Sequence, residues 1–209
     1  MNIKVHRGLE QIGGCITEIS TATSRVFIDF GQNLPGNGEA TTPEQDRLMV
    51  ENIFATNAKK HEAVFYTHGH EDHVGLFEYI PPYVPQYMSD GTKELLLIKY
   101  RTLKEGVELS LAQLQNDANS IKEQIEEENF KKSNAENKIK IIARMNSWGR
   151  TSPGKKPSPI FIGDITITPF FNCHSWMHSS FRFSIVPSVI RVSMFVAYFL
   201  NVGINPLPI

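Results

Sequence analysis

Thr67-His68-Gly69-His70-Glu71-Asp72-His73-Val74-Gly75 is the stretch that decides the fold and the chemistry of this chain. Between residues 68 and 73 it gathers three imidazoles and the carboxylate of Asp72. Alternate positions in an extended turn place His68 and His70 on one side, while Asp72 and His73, opening the next element, reach a neighbouring position. Neutral imidazole nitrogen and carboxylate oxygen are ligands that zinc and related divalent ions accept, and the spacing suits two adjacent ions. Crowded imidazoles without a metal would repel when protonated and lose hydration when buried, with no evident gain. The isolated His6, His61 and Cys15 carry no such pattern and read as ordinary structural residues.

Working outward, residues 62–67 are mostly apolar and predict a strand that feeds directly into the histidines, and residues 74–80 predict a helix after them. Residues 13–19 and 25–30 predict a hairpin around a Ser/Thr-rich turn, with Asp29 at the end of its second strand. Gly, Pro and Asn make 31–42 a loop, and Pro43 with Glu44 suits the first turn of a helix running through Arg47, Leu48 and Ile53. Downstream, prolines exclude regular structure over 81–85, and 92–103 returns to a helical pattern. Residues 106–137 are strongly charged and predict an exposed helix or a flexible insertion. A strand is expected at 139–142 and a loop at 151–159. A second hairpin is expected at 160–162 and 165–168 around Gly163-Asp164, running on towards His174.

The 209 residues, 41% of them hydrophobic, suit one domain with a sizeable core. Lys and Arg number 21 against 22 Asp and Glu, a net charge of −1 that neither demands nor excludes a polyanionic partner. Two cysteines argue against a disulfide scaffold and fit a reducing compartment. The first residues carry no apolar run behind their charges, so a cytoplasmic location is expected.

The 67–75 segment resembles the His-X-His-X-Asp-His motif of metallo-β-lactamase-fold hydrolases. Gly13-Gly14-Cys15 with Phe27-Ile28-Asp29-Phe30-Gly31 is similar to that family's opening hairpin. Thr168-Pro169-Phe170-Phe171-Asn172-Cys173-His174-Ser175 resembles the strand bearing its next metal histidine, as worded in ribonuclease J-like proteins. The likeness covers roughly residues 10–180. It implies an α/β four-layer αββα sandwich of which this chain supplies the N-terminal half, as a domain over 1–180, with 106–137 as an insertion and 181–209 as an atypical apolar tail. It further implies two divalent ions, zinc with manganese as the alternative. His68, His70 and His174 would hold the first, and Asp72 with His73 the second. Asp72 would also orient the attacking water as the catalytic carboxylate, and Asp29 would support the cluster from behind.

The fold hosts several chemistries, so the substrate is an expectation of wording rather than of fold. The 67–75 and 169–175 segments favour hydrolysis of RNA phosphodiesters, with nucleic acid as partner. A small ester, thioester or lactam is the rival substrate, and a remnant binding one metal or none is the non-catalytic rival. No membrane partner is expected, and a homo-oligomer is left open. The family also needs a later aspartate bridging both metals, yet no Asp or Glu follows Asp164. Turnover several powers of ten below a complete relative is therefore expected. Cys173 reads as a small buried residue, and His178 matches no ligand position. Residues 184–209 crowd apolar side chains without acids, for which out-of-frame translation is the first reading, a pair of core strands the second and a membrane anchor the last, since Pro187, Arg191 and Asn201 interrupt any span of about 20 apolar residues.

Overall fold

The computed structural model describes residues 1–11, 13–34, 41–116, 122–149, 158–171, 179–185 and 192–194. The chain begins with an antiparallel meander of β1 (Asn2–Arg7), β2 (Ile16–Ser20) and β3 (Ser24–Ile28), of which β2 and β3 form the expected hairpin. Helix α1 (Pro43–Ala55) then crosses to β4 (His61–Phe65), which lies parallel to β3. Its N-terminus is fixed as the sequence predicts. Thr42 and Gln45 form a reciprocal capping box ahead of Pro43, satisfying two otherwise orphaned amides. Its last turn carries no basic residue, and Arg25 of β3 supplies the cation instead, donating to the carbonyls of Ile53, Phe54 and Thr56.

After β4 comes a one-turn helix α2 (Glu71–Val74), then a 3-10 turn at Phe77–Tyr79 and strand β5 (Gln86–Ser89). The helix expected over 74–80 is thus displaced and cut short. In a continuous helix the Leu76 amide would bond the Asp72 carbonyl, but it donates to Phe30 while the Asp72 carbonyl accepts from Cys15. Helices α3 (Asp90–Asn116) and α4 (Lys122–Arg144) come next as an antiparallel pair, leading to β6 (Asn146–Trp148). The charged stretch expected over 106–137 is the outer part of this pair. The strand expected at 139–142 is instead helical, because Ala135, Ile139 and Ile142 share one face of α4 at spacings of four and three. Ile142 is fully buried in the core.

The first sheet therefore has six strands in the order β1-β2-β3-β4-β5-β6, parallel from β3 onward. The second hairpin is present as β7 (Ile160–Ile162) and β8 (Ile165–Phe171), joined by β9 (Ser179–Ile185) and β10 (Val192–Met194) in a four-stranded antiparallel sheet. β9 runs past residue 180, so this sheet continues into the apolar tail; residues 186–191 and 195–209 of that tail lie outside the described residues, as does the 151–157 part of the expected loop.

Every side chain of β3 is buried, and strand alternation explains how. Phe27 of β3 and Val64 of β4 face Val50, Ile53 and Phe54 of α1, with Leu96 and Tyr100 of α3 and Ile142 of α4 in the same core. Val26, Ile28, Ala63 and Phe65 turn to the opposite face, where they meet Ile162, Ile165, Ile167 and Phe181 of the second sheet. The molecule is α/β: helices cover one face of a mixed sheet, and a second sheet covers the other.

Candidate metal centre

β3 and β4 end side by side, and the residues just beyond their ends build the site. At the end of β3, Asp29 takes a left-handed backbone (φ 61°) and turns its carboxylate under the motif loop. It is 1% exposed, so its charge must be met by donors. The Thr67 amide donates to Oδ1 at 2.7 Å and the Thr67 hydroxyl to Oδ2 at 2.8 Å. His73 Nδ1 lies 2.7 Å from Oδ2.

This network fixes the histidine tautomers. An ionised carboxylate only accepts, so His73 must carry its proton on Nδ1. The Thr67 hydroxyl has one hydrogen, spent on Asp29, and so accepts from His68 Nδ1 at 3.0 Å. Both Nε2 atoms then face away from Asp29, that of His68 towards His70 and that of His73 towards Asp72. The His68 and His73 rings lie 3.9 Å apart between centroids, and His68 Nε2 stands 3.1 Å from Nδ1 of His70, which is exposed at the rim. Asp72 is half-buried, with Oδ2 3.4 Å from His73 Nε2. Burial works against a charged His73, but the Asp29 hydrogen bond and charge, with Asp72 behind them, outweigh it and raise its pKa above the usual 6.5.

One ligand atom each from His68, Asp72 and His73 lie within 4.8 Å of one another. Ligands on one tetrahedral zinc stand about 3.3–3.5 Å apart, given bonds of about 2.0–2.2 Å. The 3.4 Å between Asp72 and His73 matches that edge. The donor set and its spacing thus fit a divalent ion. His68, His70, Asp72, His73 and Asp29 are all brought together; His174, with Cys173 and His178, lies outside the described residues.

Tight backbone packing holds α2 in place. The carbonyls of Glu71, Asp72 and His73 accept from the amides of Gln32, Cys15 and Phe30 at 2.8, 3.2 and 2.9 Å. A Cβ on Gly31 would fall 1.7 Å from the Asp72 carbonyl oxygen, so only glycine allows that approach. Arg7 gathers the same loops, donating to the carbonyls of Gly14 and Gly31 and to Asp46 of α1. On the outer side, Thr92 and Leu96 of α3 lie against Gly69, and Lys99 pairs with Glu71. Sequence reasoning assigned no role to Thr67, Arg7, Gly31, Glu71 or Lys99. Only Thr67, beside the histidines with a hydroxyl, carried a signal that could have pointed to one.

No family model matches the chain, and no curated protein matches it. Among solved structures it is similar to a protein of unknown function from Enterococcus faecalis V583, at 20% identity with a TM-score of 0.54. That likeness covers 88% of this chain and 40% of the other, so this chain spans less than half the length of that structure. The similarity establishes a shared fold and is silent on activity.

Proposed function

We propose that this chain holds divalent metal for hydrolysis, as the metal-binding part of a metallo-β-lactamase-type hydrolase related to ribonuclease J-like enzymes. The observation that carries the reading is the Asp29-Thr67 network, which turns Nε2 of His68 and of His73 towards His70 and Asp72. Protein that does no metal chemistry gains nothing from imidazoles aligned this way. Two packed sheets with helices on one face support the αββα reading of the fold.

In this reading His68 and His70, with His174, hold one ion, and Asp72 with His73 holds a second. A divalent ion bound there, zinc or manganese, supplies a Lewis acid that polarises the substrate and lowers the pKa of water. Asp29 keeps His73 and, through Thr67, His68 from rotating away. Asp72, at the partly open rim, orients the attacking water. RNA phosphodiesters are the proposed substrate class, on the wording of the 67–75 and 169–175 segments.

The test is hydrolysis of single-stranded RNA and of a small ester by the purified chain, each with added zinc or manganese. Slow, metal-dependent RNA cleavage that stops in His70→Ala is expected. A preference for the ester would move the substrate to the small-molecule class, and cleavage indifferent to metal would overturn the reading.

A further inference from the structure

We propose that Glu71, the residue between two ligands in the motif, is a positioning residue, and that Lys99 of α3 holds it so that His70 and Asp72 stay aligned. The inference rests on the proposed metal-holding role of the motif. Glu71 contributes no ligand atom to the His68–Asp72–His73 group. Its backbone is anchored on one side, where its carbonyl accepts from Gln32 and Gly75, both at 2.8 Å. Its carboxylate pairs with the Lys99 ammonium of α3.

Tyr100 is 5% exposed and packs edge-on against Phe77, with ring centroids 6.0 Å apart. Its burial fixes the ring that lies beside the Lys99 ammonium. Lys99 is partly exposed, and its ammonium also lies 5.4 Å from the Tyr100 ring centroid, which restricts the ammonium to the Glu71 side. The Lys138 ammonium of α4 lies 5.4 Å from the same centroid and 3.1 Å from Glu78, tying both helices to the segment just after the motif. With Leu96 and Thr92 against Gly69, the segment from 69 to 78 is braced by the helical pair on its outer side and by residues 15 and 30–32 on its inner side.

A half-exposed ion pair contributes little to folding. Its consequence lies in geometry, because Glu71 is covalently next to both His70 and Asp72 and any drift of its carbonyl is passed to both. Partners of this kind, one step behind the ligands, weaken metal affinity by about 10–100-fold when removed. They do so without unfolding the protein.

The experiment uses the full chain with Glu71→Gln, Lys99→Met and Lys99→Arg. Zinc affinity is measured by competition with a chromophoric chelator, ligand geometry by the visible absorption of the cobalt-loaded protein, and folding by thermal melting. Glu71→Gln and Lys99→Met are expected to bind zinc about 10–100-fold more weakly and to alter the cobalt bands, with melting shifted by no more than about 2–4 °C. Lys99→Arg, which restores the cation, is expected to return both readouts towards wild type. Wild-type affinity and cobalt spectrum in Glu71→Gln and Lys99→Met would overturn this proposal alone, whereas a wild-type chain that binds neither metal would remove the reading beneath it.

Discussion

Asp29 meets its buried polar neighbours with one carboxylate, which makes it the most consequential single residue outside the ligand set. Asp29→Asn keeps the size but replaces an acceptor oxygen with a donor facing Thr67 or His73. Zinc affinity is expected to fall about 10–100-fold, measured by chelator competition. Gly31→Ala tests the packing side of the same site. With a Cβ 1.7 Å from the Asp72 carbonyl, α2 must move, at a cost of about 1–3 kcal/mol in urea denaturation together with weaker metal binding. Unchanged stability in that variant would show that the loop has slack. These residues also mark what a sequence reveals. Four of the five proposed ligands fall within residues 68–73, so their chemistry is visible in a line, and Asp29 closes a predicted strand at a place to which the family resemblance gives a role. Gly31 and Lys99 are not, because their importance arises only when segments about 40 and 28 residues distant fold against them.

At the scale of elements, β3 and α1 are joined by Arg25, which is 1% exposed, caps three carbonyls and pairs with Glu62 at 2.5 Å. Arg25→Met removes the cation from three carbonyls and leaves the largely covered Glu62 carboxylate with the Lys59 amide but no counter-charge, and a loss of about 3–5 kcal/mol is expected in urea denaturation. β1 and β2 are joined in turn by His6 and Glu18, 2.9 Å apart. The His6 hydrogen bond, opposed by burial, holds the Glu18 pKa below its usual 4.5. A carboxylate depressed in the folded state stabilises fully above its unfolded value and loses that contribution as pH falls through the folded one. Melting temperature should therefore decline on acidification below about pH 4.5, and less steeply in Glu18→Gln; an identical slope in the variant would assign the acid limb to other groups. The hairpins and α1 were legible because turn residues, caps and alternation all agreed. β1, β5 and β6 were not: each is short or polar, and their pairing partners, not their own composition, make them strands. The misread 139–142 segment fails for the same reason, since a four-residue apolar run has no period of its own.

For the whole molecule, two core regions share the six-stranded sheet, and the site sits where β3 and β4 end between them. The α/β class was legible through the family resemblance of the 67–75 segment rather than through periodicity, because nothing local tells Val26 from Phe27 which face it will cover. None of the helices in the described residues is long and apolar enough to cross a membrane. If the proposed two-ion reading holds, the lack of an acidic residue after Asp164 to bridge the ions means RNA cleavage several powers of ten slower than by an enzyme that has one. Fast cleavage abolished by His70→Ala would mean that another group takes the bridging place. The central claim, that residues 68–73 are a metal-binding set, is tested most directly by elemental analysis of the purified chain beside a His68→Ala/His70→Ala double variant. Zinc or manganese in the wild type and none in the double variant is the predicted result; the same metal content in both would contradict it.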